Sequence, residues 1–165
     1  VTAGCNLTYF NLDAVAAGSF GANPVFFIFA RMLLYQSLLL IDDDVDDHEI
    51  FISALETVSP EVSLTTAVNG ADALKILLEQ NLYPELIFLD INMPLMNGLE
   101  FLTELRKHDN LKHIPVIAYT TTSAPETIEE AKQLGATGFI SKPENFSDLE
   151  KILAETPYKQ PGHNF

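Results

Sequence analysis

The sequence predicts an α/β fold: a doubly wound (βα)5 domain on a five-stranded parallel sheet in the order 2-1-3-4-5. Three observations point to it. From Ser37 onward, short apolar runs alternate with amphipathic segments whose apolar residues recur at helical spacing. Two of those runs, 38–41 and 86–89, are apolar throughout, as strands buried on both faces of a parallel sheet must be. Turn formers (Asn69-Gly70, Asn97-Gly98, Gly135, Pro157) then fall where helices must start or stop.

Taken in order, strands are expected near 37–41, 62–67, 86–90, 114–119 and 137–141, with helices near 46–58, 70–80, 98–107, 125–134 and 146–155. The first helix illustrates the reasoning, since Ile50, Phe51, Ala54, Leu55 and Val58 make one apolar face at a period of 3.6. Composition agrees with one small globular domain, at 47% hydrophobic and 19% charged residues in 165. A net charge of -14 without any basic cluster excludes a nucleic-acid surface, which needs Lys and Arg to displace counterions. Cys5 is the only cysteine, so no intrachain disulfide can form, and a cytoplasmic location is expected.

Residues 1–33 read differently from the 34–156 domain and from a short tail at 157–165. Residues 14–30 are uncharged and sit at the low edge of a membrane-spanning length. Gly18, Gly21, Asn23 and Pro24 break them into short pieces, and the only base of this stretch, Arg31, follows the apolar part where a secretory signal would have it precede. A disordered or non-native extension ranks first, a docked appendage second and a membrane anchor third, with Met32 a candidate start. No membrane partner is expected. The tail is too short for an output module, so the output is expected to be contact with another protein.

Chemistry concentrates at strand ends. Asp46 and Asp47 open a helix, where negative charge suits the dipole, and are read as capping and solvated surface. Asp42 and Asp43 instead end a buried strand, where two carboxylates ~4 Å apart repel by about 4 kcal/mol at an effective dielectric near 20. A cation removes that cost, and hard oxygen ligands beside a phosphate site suggest magnesium over zinc. An EF-hand is excluded, because Asp47 stands where its loop needs Gly and Ser53 where it needs Glu.

Asp90 closes the 86–90 run. A lone Asp there is ordinarily a turn former or cap, but in the 2-1-3-4-5 order its strand lies beside the first one across the switch point, so Asp90 would face Asp42 and Asp43. With a metal shared among them, one Asp90 oxygen is free to attack phosphorus. Thr120 and Lys142 end the fourth and fifth strands on the same edge, one offering a hydroxyl and the other a point charge to phosphate oxygens. Pro143 fixes the backbone after the lysine.

Four stretches, 38–44, 89–98, 115–120 and 135–143, together resemble the receiver domain of two-component response regulators, whose fold is flavodoxin-like, with coverage from about Leu34 to Glu155. The resemblance implies that Asp90 is the phosphoacceptor, that Asp43 binds Mg2+ directly and Asp42 through water, and that the backbone carbonyl of Asn92 completes the protein ligands. It implies that Lys142 pairs with the phosphoryl oxygens and that Thr120 and Phe139 form the switch pair. A histidine kinase or phosphotransfer protein would be the donor, a further protein the target, and turnover of the chain's own phosphoaspartate its only chemistry. Thr121 departs from the small residue usual after the switch Thr. Two other readings fit the residues less well. A haloacid-dehalogenase-type phosphatase lacks its paired acids on a later strand, and a pseudo-receiver that only binds partners would lack an essential acid or the lysine.

Overall fold

The computed structural model describes residues 7–9 and 35–155. After β1 (Leu7–Tyr9), strands and helices alternate: β2 (Ser37–Ile41), α1 (Val45–Val58), β3 (Ser63–Ala67), α2 (Gly70–Glu79), β4 (Leu86–Leu89), α3 (Gly98–Leu105), β5 (Val116–Thr120), α4 (Pro125–Gln133), β6 (Gly138–Ser141) and α5 (Phe146–Glu155). The sheet order is β1-β6-β5-β4-β2-β3. Counted from β2, the five parallel strands run 2-1-3-4-5, as the sequence predicts.

Alternation along the strands divides the core into two layers. Leu39, Ile41, Ile87, Leu89, Val116, Ala118 and Phe139 face α2, α3 and α4, while Leu38, Leu40, Leu86, Phe88, Ile117, Tyr119 and Ile140 face α1 and α5. In the second layer Phe51 meets Phe88 and Tyr119 edge-on, at centroid distances of 5.0 and 5.6 Å, a geometry that suits the ring quadrupoles. The Arg106 guanidinium joins three segments of the first layer's rim, donating to the carbonyls of Lys112 (2.9 Å), Ile114 (3.0 Å) and Gly135 (2.7 Å). Burial holds its pKa below the ordinary guanidinium value.

Helix starts follow local chemistry. Asp44 caps α1 by accepting from the Asp46 N–H, Asn69 caps α2 by accepting from Asp72, and Asn97 with Glu100 forms a capping box on α3. The fourth parallel strand begins at Val116, two residues later than expected, because Pro115 has no N–H to give the ladder; its carbonyl still accepts from Ile87.

One strand was not expected. β1 pairs antiparallel with β6, Leu7 opposite Ile140, Thr8 opposite Phe139 and Tyr9 opposite Gly138, within the stretch read as an extension. Three residues are too few to show a strand period in sequence. The remainder of that extension, including the 14–30 membrane candidate, lies outside the described residues, as does the 157–165 tail. Among the described residues no helix is long and apolar enough to cross a membrane.

Candidate functional site

The carboxyl edge of the sheet collects the acids. Leu38–Ile41 and Leu86–Leu89 are buried on both faces, so each chain leaves the core at the same level and delivers Asp42 and Asp90 to adjacent positions. The Asp90 N–H donates to the Ile41 carbonyl at 2.8 Å and the Asp42 N–H to the Ala67 carbonyl at 3.0 Å, which extends the ladder one residue past the strands and fixes both Cα positions.

One carboxylate oxygen from each of Asp42, Asp43 and Asp90 lies within 4.8 Å of the others. Asp42 is fully buried, Asp90 is 7% exposed and Asp43 faces solvent, so the group is open on one side. Asp42 Oδ1 accepts from the Asp44 N–H (3.1 Å), and Asp90 Oδ1 from the Asn92 N–H (3.2 Å). Asp42 Oδ2 is buried beside Lys142 Nζ at 2.6 Å, off the angle of a directed hydrogen bond. Burial raises the Asp42 pKa above the usual carboxylate value, against the pull of Lys142. Three carboxylates that each offer a hard oxygen, one of them on the solvent side, fit a divalent cation of magnesium or manganese type that keeps some of its waters.

Lys142 follows β6, and its backbone N–H donates to the Thr120 carbonyl at 3.0 Å, which ties the ends of β5 and β6 together. Its side chain is 10% exposed, and Nζ stands 2.6 Å from Asp42, 2.7 Å from Asp47 and 3.5 Å from Asp90. Burial alone would lower the ammonium's pKa; contact with the carboxylates outweighs it and raises the value. The Tyr119 ring lies 5.6 Å from the same nitrogen, and burial pushes its phenol pKa up.

Thr120 is fully buried at the end of β5, its Oγ1 accepting weakly from the Thr122 N–H at 3.4 Å. Phe139 is 8% exposed in the layer with Ala118, Ala131 and Ala136. Because Ala118 pairs with Phe139 and Thr120 with Ser141, Thr120 and Phe139 share a sheet face one pleat apart. Thr121 is exposed beside them.

Two site residues escape the sequence reading. Asp47, read as solvated surface, turns its carboxylate to Lys142. His48 is 7% exposed, and its Nε2 contacts the Asp42 carbonyl at 2.8 Å, holding the backbone that carries the buried acid. Both lie on the inward side of the first turn of α1, and helical spacing from Phe51 back to His48 was the available signal.

Known proteins resemble this chain in sequence and fold. The family model of the response regulator receiver domain matches residues 38–154. Response regulator Rcp1 of Synechocystis sp. is 30% identical over 121 residues, which cover 70% of this chain and 82% of Rcp1. The structure of the Mn(2+)-bound form of Rcp1 has a TM-score of 0.65 at 28% identity, over 72% of this chain and 89% of that one. Chemotaxis response regulator CheY4 of Vibrio cholerae has a TM-score of 0.63 at 31% identity, over 74% of this chain and 98% of that one. The same stretch also matches parts of longer proteins, such as a protein-glutamate methylesterase/protein-glutamine glutaminase of Halalkalibacterium halodurans, 36% identical over 117 residues that make up 70% of this chain and 33% of the enzyme. With the parallel sheet in its 2-1-3-4-5 order and the acids at its carboxyl edge, these matches make the chain a member of the response regulator receiver domain family.

Proposed function

We propose that this receiver domain takes a phosphoryl group onto Asp90 from a histidine kinase or phosphotransfer protein, with Mg2+ held by Asp42, Asp43, Asp90 and the Asn92 backbone carbonyl, and signals in the cytoplasm by protein–protein contact. The observation that supports it most is the placement of Asp90. Its carboxylate stands between a pair of metal-competent acids on one side and the Lys142 ammonium on the other.

One Asp90 oxygen attacks the phosphorus of a phosphohistidine. A P–O bond forms, the P–N bond breaks, and the imidazole leaves with the bonding pair. Lys142 Nζ then donates to one phosphoryl oxygen, and the Thr120 hydroxyl donates to another. A bound divalent cation would supply charge neutralisation for the phosphoryl oxygens at the Asp42 and Asp43 side.

Incubating the purified chain with Mg2+ and acetyl phosphate tests the reading. Intact-mass analysis should show the gain of one phosphoryl group, removable by hydroxylamine and mapping to Asp90. No gain, or a label on another residue, would overturn it.

The metal has its own readout. At about 100 times its dissociation constant, Mg2+ bound only to the folded state contributes ~2.7 kcal/mol, or a rise of about 10 °C in melting temperature for a domain of this size. Asp43→Ala should remove most of that rise. An equal response in wild type and variant would put the ion elsewhere.

Signal transmission is assigned to Thr120 and Phe139. Thr120 reaches a phosphoryl group on Asp90 only by moving inward, which opens space beside the Phe139 ring, and the phosphoryl contact biases a two-state packing. A phenylalanine has no hydroxyl to anchor, so its position is set by packing alone, here against small residues including Ala118, Ala131 and Ala136. Thr120→Ala should therefore accept label on Asp90 yet lose the phosphorylation-dependent change in hydrogen exchange over α4, β6 and α5. A wild-type exchange response in the variant would exclude Thr120 as the coupling residue.

A further inference from the structure

Lys142 is held in its resting position by a residue outside the strand-end set. Its Nζ makes a directed 2.7 Å hydrogen bond to Asp47 Oδ2, while the bond to Asp90 Oδ2 is 3.5 Å long and the 2.6 Å contact with Asp42 is off-angle. Asp47 thus shares this ammonium with Asp42 at comparable range. The Asp47 contact spans 95 residues of chain and bridges the start of α1 to the segment after β6. Asp47 is 34% exposed at the rim of the site, whereas Asp42 and Asp90 lie deeper, so the lysine is held between a rim carboxylate and a buried one.

We propose that Asp47 is a positioning residue that parks the Lys142 ammonium, so that an arriving phosphoryl group must take the lysine from it. The inference rests on the phosphoacceptor reading above. An ion pair at the rim, whose lysine keeps its Asp42 contact, is worth a modest amount, so loss of the Asp47 charge frees the lysine by a factor of ~3 to 5. Asp47 therefore lowers the rate at which Asp90 is phosphorylated, through the availability of Lys142.

The test compares labelling rates with acetyl phosphate and saturating Mg2+ by intact mass. Asp47→Asn should label ~3 to 5 times faster than wild type, while Asp47→Glu, which keeps the charge within reach, should restore the wild-type rate. Asp46→Asn removes the same charge one residue away without a contact to Lys142, and should leave the rate unchanged. In a Lys142→Met background, Asp47→Asn should add nothing. An Asp47→Asn rate equal to or below wild type would overturn the proposal. So would an equal acceleration by Asp46→Asn, or one that persists without Lys142, since either marks a general charge effect on an anionic donor. Failure of wild type itself to label would instead remove the phosphoacceptor reading on which the inference stands.

Discussion

Asp90→Asn is expected to take no phosphoryl group from acetyl phosphate under conditions that label wild type fully, and to melt no lower than wild type in the absence of metal. Both halves follow from the same geometry. The amide is isosteric, and its oxygen can still accept from the Asn92 N–H, so the loop after β4 keeps its anchor. The variant loses the oxygen proposed as nucleophile and one of three carboxylates crowded within 4.8 Å. Relief of repulsion among them offsets the weak 3.5 Å contact with Lys142. Intact mass and a thermal scan read the two halves separately. Residual labelling at the wild-type rate would move the nucleophile elsewhere, and a large fall in melting temperature would mean that Asp90 is chiefly structural.

Gly98→Ala is expected to be the most damaging single-carbon addition near the site. A Cβ at Gly98 would run into the backbone carbonyl oxygen of Asp90 and would lie 2.8 Å from the Ile91 Cα. Neither can swing aside, because the Asp90 N–H is bonded to β2 and the Ile91 carbonyl accepts from Gly98 itself. Overpacking against backbone of this kind costs about 3 kcal/mol, or roughly 10 °C in melting temperature. Displacing the nucleophile by a fraction of an ångström should slow labelling at least ~10-fold. Gly70→Ala is the useful comparison. There the added carbon meets Met96 Cγ at 2.7 Å, on a flexible side chain that can turn away, together with Phe101 Cβ at 2.9 Å. Calorimetry and labelling kinetics on the two variants should rank Gly98→Ala well below Gly70→Ala, and equal losses would refute the backbone argument.

The parallel frame and most of the site are legible in sequence for a physical reason. A strand buried on both faces must be apolar throughout, so 38–41 and 86–89 announce themselves, and acids placed directly after such runs can only stand at the carboxyl edge. Asp47 is illegible for the opposite reason. In the first turn of a helix an acid is already explained by the dipole, and nothing in the local pattern tells that its partner is Lys142, on another element. For His48 the spacing back from Phe51 marks an inward position, but nothing in the local pattern tells that its ring serves the Asp42 carbonyl. Leu95 is a third case. It adopts φ 68° in the loop after Asp90, between a Pro94 carbonyl and a Met96 N–H 2.9 Å apart, a conformation sequence reasoning would assign to glycine or asparagine. Tertiary anchoring by the Gly70 N–H on the Met96 carbonyl holds it there.

The antiparallel β1 changes how the sheet meets other chains. In a five-stranded parallel sheet of this order, both outer strands would offer rows of unsatisfied N–H and C=O groups to any extended segment nearby. Here the apolar β6, whose Gly138, Phe139 and Ile140 are buried, is lined by β1, so among the described residues the two margins are β3 and the three-residue β1. The β3 margin reads Ser-Leu-Thr-Thr-Ala, with Ser63 exposed and Thr65 and Thr66 half-buried, so hydroxyls and water can satisfy it without recruiting a foreign strand. The chain thus limits stray sheet extension by two unrelated means, an edge strand only three residues long on its greasy side and a wettable sequence on the other.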